Sequence, residues 1–183
     1  MPFNFIKTEI SGLFIIEPRV FSDPRGFFCE TYKKSDFEKN GINDSFVQDN
    51  HSLSEKGVLR GLHFQTAPYA QGKLVCVIKG AVWDVAVDMR KGSPTFMQWS
   101  GIELSEENHL MFYLPSGFAH GFLTLRNGTH FVYKCTNEYN PDADGGIRWN
   151  DPSINVNWPV NEDKQPIVSG KDAALPLFKD LDL

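Results

Sequence analysis

Between Phe46 and Glu138 the chain is a succession of short apolar or alternating runs, broken by Asn, Gly, Pro and Ser at intervals of roughly ten residues. That rhythm leaves no room for helices of ordinary length and fits the strands of a sandwich or barrel. Lys73 to Ile78 reads as a strand, Lys79-Gly80 as a tight turn and Ala81 to Met89 as its hairpin partner. Further strands are expected over Thr95–Leu104, Leu110–Leu114, Phe118–Leu125 and Thr129–Glu138. Upstream, Phe3 to Ile16 reads as two short strands around Ser11-Gly12, Asp23-Pro-Arg25-Gly26 as a turn, and Phe27 to Tyr32 as an alternating strand. Ser35-Asp-Phe-Glu38 has capping-box spacing and predicts one short helix, stopped by Asn40-Gly41. After Pro141 the chain turns irregular and ends in a tail around Ser169 to Pro176.

A length of 183 residues suits one domain able to bury a full core, and an apolar content of 41% with fifteen Phe and four Trp suits a folded, strand-rich protein. The net charge of -5 argues against sequence-independent nucleic-acid binding, which requires a basic surface, but allows a locally basic cleft. No window approaches eighteen consecutive apolar residues, so no membrane partner is expected. Cys29, Cys76 and Cys135 are odd in number and unpaired in spacing, which predicts free thiols and a cytoplasmic protein.

Chemistry concentrates first at Arg60-Gly-Leu-His63-Phe-Gln65. Arginine and histidine in an apolar-flanked strand need partners, and a cavity supplies them. Strict alternation puts Arg60 and His63 on opposite faces, so Gly61 is expected to mark a bulge that re-aims them into one cavity. On Ala81–Met89, alternation places Asp84, Ala86 and Asp88 on one face, as cavity lining or as a structural pair. His51, His109 and His130 read as structural or surface residues, and the tryptophans as packing.

Pro115-Ser-Gly117-Phe-Ala-His120 resembles the second motif of the cupin superfamily, which carries a histidine into a jelly-roll barrel. Metal-binding cupins offer a His-x-His pair and a glutamate in the first motif, where this chain has His63-Phe-Gln65 and then Lys73, a poor metal ligand. More specifically, the chain resembles the dTDP-4-dehydrorhamnose 3,5-epimerase family. The resemblance rests on Asp23-x-Arg25-Gly26-x-Phe28-x-Glu30, Phe46-Val-Gln48-Asp-Asn50-His51-Ser52, Leu59-Arg60-Gly-Leu-His63-Phe-Gln65, Gln71-Gly-Lys73, Asp84-Val-Ala-Val-Asp88, Gly117-Phe-Ala-His120-Gly-Phe122, Tyr133-Lys134 and Lys171-Asp172, in order along nearly the whole chain.

The resemblance implies an all-β, cupin-type jelly roll with one or two short helices. It further implies a single domain over residues 1–183, its barrel core at about 10–140 and its tail folded back over the barrel. The implied reaction is epimerisation at carbon 3 and carbon 5 of dTDP-4-dehydro-6-deoxy-D-glucose through enolates, without metal or cofactor, in a homodimer that uses a dTDP-sugar. Such a reaction needs a base, an enolate stabiliser and an acid on the opposite face. His63 suits the base by its ordinary pKa, and the resemblance assigns Asp172 to orient it. Even a mismatch of about ten pKa units between imidazole and ketone costs roughly 14 kcal/mol, so the enolate must be strongly stabilised. Lys73 suits that task and Tyr133 suits the acid.

For substrate binding the resemblance points to Arg25, Arg60 and Lys171 at the diphosphate and to Tyr139 against the thymine. Glu30, Gln48, Asn50 and His120 are assigned to base, ribose or sugar, with Lys73 and Asp144 completing the set and Phe28 reaching a neighbouring subunit. Asp144 stands where relatives usually carry glutamate, and the loop Ala67-Pro-Tyr-Ala70 departs from the shorter or more polar loops expected there. A carbon-3-only epimerase, a 3,4-ketoisomerase, a non-catalytic sugar-nucleotide binder and a metal-dependent cupin oxygenase are the rival readings.

Overall fold

Near-continuous apolar runs need burial, and here two sheets packed against each other cover the inner face of each. The computed structural model describes residues 2–160 and 165–181. Its strands are β1 (Phe3–Lys7), β2 (Phe14–Pro18), β3 (Val20–Asp23), β4 (Gly26–Cys29), β5 (Gln48–Ser54), β6 (Leu59–Gln65), β7 (Lys73–Lys79), β8 (Ala81–Asp88), β9 (Trp99–Ser105), β10 (Met111–Leu114), β11 (Phe118–Thr124), β12 (Thr129–Cys135) and β13 (Asp144–Gly146). The helices are α1 (Lys34–Lys39) and α2 (Gly170–Ala173), followed by a 3-10 turn at Phe178–Asp180.

One sheet has the order β1-β2-β10-β7-β12-β5, the other β13-β6-β11-β8-β9, and β3 and β4 form a separate ribbon. This is the all-β, cupin-type jelly roll that the motifs imply. Val75, Val77, Phe112, Leu114 and Phe131 of the first sheet meet Val82, Ala86, Leu104, Phe118 and Phe122 of the second in the barrel interior. The outer face of the second sheet is covered by the C-terminal segment, where Trp149 and Trp158 pack with Trp83 and Trp99. Buried Asp151 pins that segment: one carboxylate oxygen accepts from the Ser153 and Ile154 amides and the other from Phe178, at 2.7 Å.

Several local expectations need correction. β7 and β8 are not a hairpin: β7 pairs with β10 and β12, and β8 with β9 and β11, so the chain crosses between sheets at Gly80. A tight turn and a sheet-crossing corner both demand a positive φ, which is +82° at Gly80, so the glycine alone cannot distinguish them. Ser35 does not cap α1. Lys33 occupies the N-cap without a side-chain hydrogen bond, and the register is set by Phe37, which is buried against Phe3, Phe5 and Tyr32. The strand expected through Tyr32 ends at Cys29, because Tyr32 leaves the ribbon to pack on Phe37 and Phe46. The tail, read as irregular, contains α2, whose N-cap Ser169 accepts from the Asp172 amide.

Candidate active site

The expected irregularity at Gly61 is present. His120 of β11 pairs with His63 and Phe122 pairs with Arg60, so two steps on β11 oppose three on β6, a bulge on β6. A Cβ on Gly61 would lie 2.6 Å from Gly121 Cα and 2.8 Å from the His120 carbonyl oxygen, and its φ is +122°. Glycine at 61 therefore allows both the backbone turn and the close approach of β11.

The freed Gly61 amide donates to Asp172 Oδ2 at 3.2 Å, while His63 Nε2 lies 2.8 Å from Asp172 Oδ1. Burial alone would raise the Asp172 carboxyl, but the hydrogen bonds and charge of His63, with donors from Gly61 and Ser169, outweigh it and hold the group below the ordinary carboxylate value. The bulge and helix α2 thus fix one carboxylate against one imidazole.

His63, Lys73 and Tyr133 stand between two adjoining cavities of about 490 and 360 Å³. The larger is completed by Arg60, His120 and Asp172, and Ser169 of the tail lies on its wall. The smaller adds Gln48, Asn50, Tyr139 and Asp144, and Lys171 borders both. Burial pulls the Lys73 ammonium below the usual lysine value, opposed by the nearby Cys135, Asp84 and Asp144. Its nitrogen sits 5.9 Å from the centre of the Tyr133 ring. Burial pushes the Tyr133 phenol up, with Cys135 adding to the shift and Arg60 opposing it, so the hydroxyl keeps its proton at neutral pH. The cavities therefore hold a carboxylate-oriented imidazole, a desolvated ammonium and a neutral phenol, which are the parts needed to move a proton next to a carbonyl and hold the resulting anion.

At the mouth, Asp144 accepts from the Tyr139 hydroxyl at 3.0 Å and from the Lys171 ammonium. Gln48 accepts from the Tyr139 amide and donates to Asn50, and Asn50 donates to the Cys135 thiol.

Eleven of the expected residues meet here: His63, Lys73, Tyr133, Asp172, Arg60 and His120, with Gln48, Asn50, Tyr139, Asp144 and Lys171. Arg25, Phe28 and Glu30 do not. Arg25 is exposed and paired with Asp23 at the tip of the β3–β4 ribbon, and Phe28 is 65% exposed on the same ribbon. Gln65 and Gln71, both inside the family motifs, also line the smaller cavity. Asp84 and Asp88, placed on one face by alternation, part company. Asp84 bonds His120 in the barrel, whereas Asp88 binds Arg90, Ser93 and Thr95. Among the described residues, no three histidine, cysteine or carboxylate side chains gather as a metal site.

The profile of dTDP-4-dehydrorhamnose 3,5-epimerase matches residues 7–180. The chain belongs to the dTDP-4-dehydrorhamnose 3,5-epimerase family. It is 54% identical to the dTDP-4-dehydrorhamnose 3,5-epimerase of Salmonella typhimurium, covering 94% of each chain. The crystal structure of the enzyme from Elizabethkingia anophelis superposes with a TM-score of 0.94 at 47% identity, covering all of both chains. An epimerase from Legionella pneumophila, solved in complex with dTDP-4-keto-L-rhamnose, matches with a TM-score of 0.94 at 50% identity over 98% of this chain and 95% of that one. No helix among the described residues of this epimerase-family chain is long and apolar enough to cross a membrane.

Proposed function

We propose that the chain inverts carbon 3 and carbon 5 of dTDP-4-dehydro-6-deoxy-D-glucose, giving dTDP-4-dehydro-L-rhamnose for dTDP-rhamnose synthesis. The observation that carries this reading is the His63–Asp172 contact opening onto the cavity shared with Lys73 and Tyr133. His63 removes the proton next to the ketone, and Asp172 stabilises the imidazolium that forms. Lys73 holds the enolate oxygen, and Tyr133 returns a proton on the opposite face. Once His63 has released its proton to solvent and Tyr133 has regained one, the same cycle at the second carbon completes the double inversion.

The larger cavity takes the sugar, with Arg60 and Lys171 toward the diphosphate and His120 toward the sugar. The smaller takes the nucleoside against Tyr139, with Gln48, Asn50 and Asp144 around it. Arg25, Phe28 and Glu30 join the site from a second copy of the chain in a homodimer, a reading supported by the exposure of Arg25 and Phe28 on their ribbon. The chain works as one domain in the cytoplasm and uses neither nucleic acid nor membrane.

Proton exchange on the dTDP-4-keto sugar in deuterated water tests the assignment. Deuterium is expected at both carbons with wild-type protein and at neither with His63→Ala. Label at only one carbon would replace the double epimerase by a carbon-3-only enzyme, and exchange by His63→Ala at the wild-type rate would remove His63 as base.

A further inference from the structure

Asp84 is a fully buried carboxylate on β8, in register with Phe122 of β11, and burial of that kind requires a partner. The partner is His120, whose Nε2 lies 3.0 Å from Oδ1 and 2.9 Å from Oδ2. Two nearly equal distances fit one N–H shared between both oxygens of a carboxylate. A neutral acid would instead hold a single shorter O–H···N contact. The ring cannot swing away, because Phe131 stacks on it at 6.1 Å and Phe122 lies at 6.5 Å.

His120 is the register partner of His63 on the neighbouring strand, and both imidazoles line the larger cavity. Among the described residues, every side-chain hydrogen bond of His120 runs through Nε2. Among the described residues Nδ1 has no partner, yet it is not among the sealed, unpaired polar atoms. Burial pulls the His120 pKa down, with Lys73 and His63 reinforcing that pull and Asp84 opposing it, which favours the neutral ring. A neutral imidazole that donates from Nε2 carries a lone pair on Nδ1.

We propose that Asp84 is a positioning residue that fixes His120 in the Nε2–H tautomer, so that the bare Nδ1 accepts a hydrogen bond from a sugar hydroxyl beside the His63 base. The hydroxyl as ligand rests on the epimerase reading; the tautomer does not. In this arrangement His120 orients the substrate and moves no proton, which leaves proton abstraction to His63.

The test combines nitrogen-15 spectra of labelled histidine with kinetics of Asp84→Asn and Asp84→Leu. The His120 resonances, identified by their loss in His120→Gln, are expected to show a protonated Nε2 and a bare Nδ1 in wild type. Asparagine keeps that tautomer, because its amide oxygen accepts the same N–H, whereas leucine releases it. Loss of one such hydrogen bond corresponds to about tenfold, so Asp84→Leu is expected to raise KM for the sugar nucleotide about tenfold. Its affinity for dTDP, which lacks the hexose, stays within twofold, and Asp84→Asn stays near wild type. A protonated Nδ1 in wild type overturns the proposal, as does a wild-type KM in Asp84→Leu. Should Asp84→Leu fail to fold, the wild-type spectrum and the Asp84→Asn kinetics decide alone. Absence of turnover in wild type with the Nε2–H spectrum intact would sink the activity and leave the tautomer standing.

Discussion

His63 and Asp172 lie 2.8 Å apart although 109 positions separate them in the chain. The contact ties the tail to β6, so seating of the C-terminal segment and orientation of the His63 imidazole are one event. Asp172→Asn keeps an acceptor for the imidazole but loses the charge that stabilises its protonated form. Solvent proton exchange is expected to fall about a hundredfold or more, with dTDP affinity within a fewfold of wild type. A rate within twofold of wild type would show that the carboxylate only anchors the tail.

The bulge gives a second prediction. A methyl group on Gly61 meets backbone, at Gly121 Cα and the His120 carbonyl oxygen, and backbone cannot rotate aside. Gly61→Ala is expected to cost about 3 kcal/mol and to separate Arg60 and His63 in direction. Gly128 also has positive φ, +63°, but open space around it. Gly128→Ala should therefore lose only about 1 kcal/mol from the left-handed backbone. Urea unfolding of the pair measures the difference, and equal losses would mean that conformation rather than contact makes glycine necessary at 61.

These residues show how far sequence reading reaches. Gly61 was legible because alternation contradicted chemistry: Arg60 and His63 belong to one cavity only if the strand is irregular. That His63, Lys73 and Tyr133 share one cavity wall follows from no local pattern, since they lie on three different strands; the expectation rests on the family motifs that carry them. Gly80 makes a sheet crossing rather than the hairpin its sequence suggests, because local turn chemistry is the same whether the next strand folds back or crosses to the other sheet. Asp84 and Asp88 were left undivided for a related reason. Period-two alternation assigns a face but not the neighbours across it, and those neighbours separate Asp84, at His120, from Asp88, at Arg90, Ser93 and Thr95. Arg25 and Phe28 sit away from the cavities, on the exposed β3–β4 ribbon, because period-two alternation along one strand says nothing about where its ribbon stands relative to the barrel.

Asp88 carries a pH prediction. Its oxygens accept from the Arg90 guanidinium at 2.8 Å twice, from Ser93 at 2.6 Å and from Thr95 at 2.8 Å, while Arg90 also donates to the Ser11 carbonyl. Burial would raise the carboxyl, but these donors together hold it well below the ordinary value. A carboxyl depressed in the folded state stabilises fully above its unfolded pKa of about 3.9. That contribution is lost as pH falls through the folded value. Asp88→Asn is expected to lose about 2 kcal/mol at pH 7 and to show a flatter loss of stability below pH 4 than wild type. Parallel urea midpoints between pH 7 and pH 3 would contradict the assignment.

Tyr133 offers a test in which base and acid separate. Its phenol is kept neutral by burial and makes no hydrogen bond among the described residues, so it is free to give a proton to a carbanion. If His63 takes the proton from one face and Tyr133 returns it on the other, removing the hydroxyl stops inversion but not abstraction. In Tyr133→Phe the imidazolium then hands a proton back on the face from which one was taken. In deuterated water, recovered substrate is expected to gain deuterium next to the ketone with its configuration retained, while product formation falls about a hundredfold or more. Mass spectrometry and proton NMR of the recovered sugar nucleotide read the two quantities separately. Equal loss of label and product would place Tyr133 in substrate positioning, and undiminished product formation would move the acid role to another group.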